Sequence, residues 1–524
     1  MTRITCDILI IGSGAAGGVL AATLSELTNK RIVLVEKGGY FAKDFFNQSE
    51  LDMRVLYAEE GQRATVDGAI PVRGGECVGG GTTVNVALSF DPIQAVWQGW
   101  QRDFGLTGFS FDSASDYGVS GLSLRSATAD VRRRVNVHTP ADAEINDNNL
   151  ILAKGCRALG IAVKRFELNM RDCLGCGYCT EGCAYDRKQG TMITFIADAL
   201  SRGVQLIHHC SIEQIVFERR GGITRAAGAR GSVRASRPGS QPNTVPPGPL
   251  QIAAGMVVLS GGSIESPALL ERSSHPDPQH ILGTGLVLHP SLPVLGLMDR
   301  EIVNYRGISG AIFSDHFYES RGFYFECLFG HPVYGSFVFP GVGAEHFELM
   351  LGFSRTAAFG VMLVDSVDLA NRVHWDRMQR KAVIRYRLTD ADKSRLRFAA
   401  QTAVEVMFAA GAREVLLPSE EPVGTLRAPR FQRAEQAALC AELRFRPHAT
   451  TITSAHCQAT VKMSEDPRLG IVNSRGESHA VQNLLVCDSS AFPTSCGANP
   501  MISIMSLARY QGRRVAAELA RYDL

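Results

Sequence analysis

A mixed α/β fold (α+β overall), with a Rossmann-like nucleotide-binding domain and a second domain on an antiparallel sheet, is predicted by three stretches of this sequence. The first is Cys6-Asp-Ile-Leu-Ile-Ile-Gly-Ser-Gly-Ala-Ala-Gly17, followed by Arg31-Ile-Val-Leu-Val-Glu-Lys37. It reads as apolar strand, glycine turn, small-residue helix and second apolar strand ending on an acid. The second stretch is the buried-strand pattern 251–260, which runs into Gly261-Gly-Ser-Ile-Glu-Ser-Pro-Ala-Leu-Leu270, again strand, turn and helix. The third is 290–455, where β-rich runs at Leu292–Met298 and Val383–Leu388 alternate with a helical pattern near Ser394–Ala410. That alternation predicts an antiparallel sheet with helices.

Each residue of the first stretch has a physical job. Gly12 permits the tight turn, Gly14 and the small Ala15 let backbone N–H groups approach a pyrophosphate, and Gly17 lets helix and strand pack closely. The helix N-terminus offers unpaired N–H groups and the positive end of its dipole. Glu36 is placed to accept hydrogen bonds from a ribose 2′-OH. The motif alone leaves FAD and NAD both open.

At 524 residues the chain exceeds a single core, so two or more domains are expected. With 45% hydrophobic and 20% charged residues it has ordinary globular composition. A net charge of +2 gives no electrostatic case for nucleic acid or an anionic membrane. No apolar run is long enough for a transmembrane helix, and the first strand starts directly after Met1, without room for a signal peptide. A cytoplasmic location is expected. Thirteen cysteines in such a chain predict mostly reduced, buried thiols.

Along the chain, Arg73-Gly-Gly-Glu-Cys-Val-Gly-Gly-Gly-Thr-Thr-Val-Asn-Val86 holds five glycines in eight residues, with Gly80 and Gly81 next to the stiff trio before Asn85. Backbone of this kind passes close to a flat ligand or phosphate. Trp97 and Trp100 read as core. A helix is predicted from Asn148 to Leu159 and a strand from Ile161 to Arg165. Cys173, Cys176, Cys179 and Cys183 then have the C-x2-C-x2-C-x3-C spacing of a bacterial ferredoxin loop, although Ala184 stands where a proline is usual. A 4Fe–4S or 3Fe–4S cluster, structural thiols around a glycine-rich turn, and zinc are all open at this point. A helix over Lys188–Ala199 and a strand over Val204–His208 follow. Residues 219–250 hold six arginines, no acid and five prolines, which predicts a solvated hairpin and loop.

The C-terminal segment narrows the class. It carries Ser454-Ala-His456-Cys-Gln-Ala-Thr-Val-Lys-Met463, Leu484-Leu-Val-Cys-Asp488 and Gly497-Ala-Asn499-Pro-Met501-Ile-Ser-Ile504. Together with the glycine turns at 12–17, 79–85 and 261–267, this order resembles the glucose–methanol–choline (GMC) oxidoreductases over nearly the whole chain. Within that family, the Cys176–Cys183 loop, Lys188-Gln-Gly190 and Asn499-Pro-Met-Ile-Ser-Ile-Met505 look most like long-chain fatty alcohol oxidases, with sterol oxidases a looser match.

The resemblance implies bound FAD, with Gly12, Gly14, Ala15, Gly17 and Glu36 on its ADP part. Gly80, Gly81, Gly261, Asp488 and Met501 are expected to line the rest, and Asn85 to sit behind the isoalloxazine ring. His456 matches the family's active-site histidine and Asn499 its hydrogen-bonding partner. One departure is local: Ala459-Thr-Val-Lys-Met463 replaces the usual glycine and Thr-Cys-Arg-Met. A discontinuous FAD domain (1–110, 185–289 and 456–524) is expected beside a substrate domain (111–184 and 290–455) with the Cys-rich loop 173–183.

The implied chemistry is oxidation of a hydrophobic primary alcohol or sterol. An imidazole accepts the hydroxyl proton, an amide donates to the substrate oxygen, and the α-hydride leaves for flavin N5. Oxygen or an electron-transfer partner would be the acceptor. A FAD and iron–sulfur dehydrogenase feeding a haem or quinone partner, and a flavin-retaining lyase or photochemical flavoprotein, are the other readings.

Overall fold

A computed structural model describes residues 1–112, 115–327, 330–522 and 524. Strand β1 (Thr2–Ile11) turns into helix α1 (Ala15–Leu27) and returns as β2 (Ile32–Val35). β1 pairs in parallel with β2, Ile8 opposite Ile32. β3 (Gln205–Ile207) adds to the far side of β2. β4 (Cys210–Arg220) and β5 (Ile223–Val233) form an antiparallel hairpin, and β6 (Gly248–Leu259) lies between β5 and β1. β6 leads into helix α2 (Gly262–Arg272), and β7 (Leu484–Val486) extends the sheet in parallel beside the end of β6. The last four residues of β1 (8–11) and of β6 (256–259) are buried continuously, as parallel strands covered on both faces must be.

A second seven-stranded sheet is antiparallel throughout. It runs 430–431, 414–416, 291–297, 356–363, 323–327, 312–314 and 164–165. Helix Asp390–Ala410 covers one face, started by a capping box between Thr389 and Asp392 and ended by Gly411 in the left-handed region. Its Leu396, Ala399, Ala403 and Val406 join Phe323, Phe325 and Phe359 in the core of this sheet.

Several segments differ in extent from the sequence expectation. The helix expected at 188–199 forms only over Phe195–Ser201, because Lys188 to Gly190 are drawn into contacts described below. Of the 161–165 strand only Lys164–Arg165 pairs. The stretch 111–184, read as one domain, contributes to both cores. Helix Leu124–Arg134 packs on helix α3 (Met501–Ala517), where the Thr128 and Ser506 hydroxyls meet at 3.0 Å, whereas Asp147–Ala158 packs on Asp390–Ala410. The arginine-rich 219–250 stretch holds the turn of the β4–β5 hairpin, all of β5 and the start of β6. No helix among the described residues is long and apolar enough to cross a membrane.

Candidate active site

The three glycine turns converge at the C-terminal ends of the parallel strands. Gly12 adopts φ +103°, and a Cβ there would lie 2.3 Å from the Ser260 carbonyl oxygen at the end of β6. A Cβ on Gly17 would lie 1.8 Å from the Gly12 carbonyl oxygen, so α1 closes on its own turn only with glycine there. A Cβ on Gly80 would come within 2.8 Å of the Gly14 Cα, which brings the second glycine stretch directly onto the first. The stiff trio after it coils into a short helix, Gly81–Val84, instead of a loop. α1 begins at Gly14 without a side-chain cap or an acid in its first turn, leaving its N–H groups for an anion.

Two buried carboxylates fasten this wall. Glu36 accepts from the Ser13 N–H and hydroxyl (3.0 and 2.7 Å) and from the Gly38 N–H (2.9 Å). Asp488 accepts from Gly262 N–H (2.8 Å), the Ser266 hydroxyl (2.7 Å), and the Ser490 N–H and hydroxyl (2.8 and 2.5 Å). Asp488 thus ties the start of α2 to the end of β7. Gly261 caps α2 within the same junction.

From Ala15 and Gly81 a cavity of about 340 Å³ runs to His456 and Asn499, lined mostly by apolar side chains such as Val84, Val86, Leu295, Phe339, Phe359 and Met362. Asn85 lies along it and donates its amide to the Met501 sulfur (3.0 Å). At the inner end, strand Phe323–Cys327 alternates. Phe323 and Phe325 enter the core, while Tyr324 and Glu326 turn toward Asn499. The Tyr324 hydroxyl donates to Asn499 Oδ1 (2.8 Å). That fixes the amide, so Nδ2 faces both Glu326 Oε2 (3.3 Å) and His456 Nε2 (3.4 Å). His456 Nε2 is thereby the accepting nitrogen, and Nδ1 is buried without a partner among the described residues.

A second imidazole, His289, lies edge-on to His456 at 5.5 Å between ring centroids. Gln458 bridges the two, reaching His289 Nε2 and donating to the His456 carbonyl (both 3.2 Å). Burial pushes the His456 imidazole down to about 4 and His289 well below its usual range, so both are neutral at pH 7. Burial pushes the Glu326 carboxyl the other way, up to about 7, against the opposing pull of the Asn499 hydrogen bond.

Glu326, Tyr324, His289 and Gln458 were not anticipated from the sequence. The available signal was Phe-Tyr-Phe-Glu-Cys at 323–327, a period-two strand whose second face carries a hydroxyl and an acid.

The spacing of Cys173, Cys176, Cys179 and Cys183 left an iron–sulfur cluster, structural thiols and zinc open, and among the described residues no group of three or more His, Cys, Asp or Glu side chains is placed to hold a metal ion. Two of the sulfurs face local backbone donors instead: Gly175 N–H on Cys173 (3.4 Å), and Arg187 and Lys188 N–H on Cys183 (3.2 and 3.5 Å). Burial raises the Cys179 thiol to about 12. The loop serves as a wall. The buried Lys188 ammonium donates to the carbonyls of Thr83, Asn85 and Cys179 (2.8, 2.6 and 2.5 Å), and Thr180 and Glu181 line the cavity.

Two family models, both described as GMC oxidoreductase, match residues 53–291 and 366–508 of this chain. An uncharacterised GMC-type oxidoreductase of Mycobacterium tuberculosis (strain ATCC 25618 / H37Rv) is 30% identical over 512 residues, 96% of this chain and 74% of its own length. The chain belongs to the GMC oxidoreductases. As a GMC oxidoreductase it acts on alcohol-type donors. It is similar to a long-chain-alcohol oxidase of Arabidopsis thaliana (FAO4A), with 28% identity covering 99% of this chain and 69% of that one. The GMC fold is shared with pyridoxine 4-oxidase from Mesorbium loti, at TM-score 0.67 and 17% identity over 97% of this chain and 99% of that one. It is shared also with Aspergillus oryzae formate oxidase, at TM-score 0.69 and 16% identity over the whole of both chains.

Proposed function

We propose that this GMC oxidoreductase is an FAD-dependent alcohol oxidase that oxidises the CH–OH group of a hydrophobic primary alcohol, or a sterol-like one, with His456 as base. The observation that carries the reading is the chain Tyr324, Asn499, His456, in which one oriented amide sets the accepting nitrogen of a neutral imidazole, through a long 3.4 Å contact, at the end of an apolar cavity. The relatives named as long-chain-alcohol oxidases support the substrate class, and their being oxidases supports oxygen as the acceptor.

FAD would be held by Gly12, Gly14, Ala15, Gly17 and Glu36 on one side. Gly80, Gly81, Asn85, Gly261, Asp488, Asn499 and Met501 would hold the other, and the uncapped α1 N-terminus and the open cradle at Gly81 fit such a ligand. Bound FAD supplies the acceptor for the α-hydride. The chain's own residues do the rest. The apolar walls exclude water, and the Asn499 amide donates to the substrate oxygen as charge builds there. A bound hydroxyl would replace the long Asn499 contact on His456 Nε2, which then takes the hydroxyl proton. A neutral imidazole suffices, because the hydroxyl becomes far more acidic as hydride leaves its carbon. The two sheets supply the two cores flanking the cavity, in keeping with a nucleotide domain beside a substrate domain.

The test is His456→Ala, purified with its flavin and mixed anaerobically with a long-chain 1-alkanol. Flavin absorbance should be retained, and bleaching by the alcohol should slow by about 10²–10⁴-fold. Bleaching at the wild-type rate would sink the assignment.

A further inference from the structure

The cavity carries one cation that the reaction above does not use. Arg73 lines the cavity, and its backbone N–H binds the Ser454 carbonyl (2.8 Å), two residues before His456. Its guanidinium sits 3.8 Å from the Tyr334 ring centroid and 5.5 Å from that of Tyr57. Among the described residues it has no ion-pair partner within 4.0 Å and no side-chain hydrogen bond. The nearby acids are engaged elsewhere. Glu50 accepts the N–H groups of Val333 and Tyr334 (2.8 and 2.7 Å). Glu181 takes the Thr180 hydroxyl (2.8 Å) and lies 3.8 Å from the His331 ring, and burial raises its carboxyl toward the neutral form. Tyr57 is itself fastened, its hydroxyl donating to the Thr180 carbonyl (2.6 Å).

A guanidinium 3.8 Å over the Tyr334 ring and 5.5 Å from that of Tyr57 is held by cation–π attraction, which uses none of its N–H donors and leaves them for a planar anion. None of Tyr57, Arg73, Tyr334 or Glu181 is hydrogen-bonded to the His456–Asn499 group, so the Arg73 guanidinium is a polar site separate from that group in a cavity whose walls are largely apolar. We propose that Arg73 binds the second end of the substrate, so that the preferred alcohol is an amphiphile with a carboxylate on the far side of its hydrocarbon chain, an ω-hydroxy acid rather than a plain alkanol. This rests on the alcohol-oxidising reading above and names its substrate class. No covalent step is added, because Arg73 binds and orients.

The experiment compares three matched probes on the flavin-loaded enzyme: an ω-hydroxy carboxylate, its methyl ester and the 1-alkanol of equal chain length. In the wild type, kcat/KM for the acid should exceed that for the ester by about ten- to a hundredfold, the range of one charge-assisted, bidentate contact. Arg73→Gln should bring the ratio close to one, and Arg73→Lys should keep part of it. Equal values for acid and ester in the wild type, or a ratio that survives Arg73→Gln, would overturn the proposal. If Arg73→Gln does not fold, the wild-type ratio and Arg73→Lys decide. If no alcohol bleaches the flavin, the alcohol reading fails on its own account. Titration with an unreactive alkanoate, followed by calorimetry, then decides the anion site. Binding that weakens in Arg73→Lys and Arg73→Gln supports it, and absent or unchanged binding overturns it.

Discussion

The glycine-turn wall and the inner wall of the cavity both bury carboxyl groups, but they treat them differently. Asp488 receives four donors at 2.5–2.8 Å and Glu36 three at 2.7–3.0 Å. Glu326, on the inner wall, has one amide at 3.3 Å. Burial raises the Asp488 and Glu36 carboxyls as well, but their short N–H and O–H donors oppose that shift and anchor them in place. A carboxyl with one long donor in an apolar surround keeps its proton until near pH 7 and responds to whatever enters the cavity. The same contrast separates the histidines of the site from the capped turns: His456 and His289 each leave Nδ1 unpaired among the described residues. The carboxylates of the anchoring wall each have several short donors, and the carboxyl and imidazoles of the reacting wall do not.

Three measurements would sharpen or break that contrast. The largest effect is expected at Gly17→Ala, whose Cβ would meet the Gly12 carbonyl oxygen at 1.8 Å. It should cost about 3 kcal/mol or more and yield protein without bound flavin, read from the visible spectrum and the thermal midpoint. A flavin-loaded variant of unchanged Tm would show that the turn is looser than drawn.

Next is Glu326→Gln. Folding raises the Glu326 pKa from the usual carboxyl range to about 7. The folded state therefore binds the proton more tightly than the unfolded chain, and stability is lost as pH rises from about 4.3 to 7. Glutamine removes that loss. The variant should gain on the wild type by on the order of 2–3 kcal/mol between pH 5 and pH 8.5, followed by denaturant unfolding at each pH. A difference independent of pH would place Glu326 among the anchors.

The smallest effect is expected at Asp488→Asn, where an amide NH₂ would face donors it cannot accept from. A loss of about 1–3 kcal/mol is expected, alike at pH 6 and pH 8.5. A loss that appears only at one pH would mean that Asp488 also titrates in the working range.

Much of the anchoring wall was legible in the residues themselves, because its logic is local. Gly12, Gly14 and Gly17 stand in one turn, Glu36 ends the next strand, and turn chemistry depends on neighbours in sequence. The cysteine loop shows the limit of such reading. Its spacing is that of a cluster motif, but spacing does not say which way a thiol points, and Cys173 and Cys183 turn to backbone N–H groups two to five residues away. The helix expected from Lys188 failed for a related reason: its ammonium is used by three carbonyls from two other segments.

What the sequence by itself determined is the nucleotide-type βαβ unit and the two-sheet architecture, since each rests on local pattern; the pairing of His456 with Asn499 came from the family resemblance of its motifs. Only the tertiary structure decided that Tyr324 orients Asn499, that Glu326 shares it, that His289 lies beside His456, and that Arg73 lines the cavity without an ion-pair partner among the described residues. The contacts of Tyr324, Glu326 and His289 join residues 167 to 175 positions apart. Side-chain direction there is set by strand register and by the packing of one core against the other, neither of which is written in any single stretch.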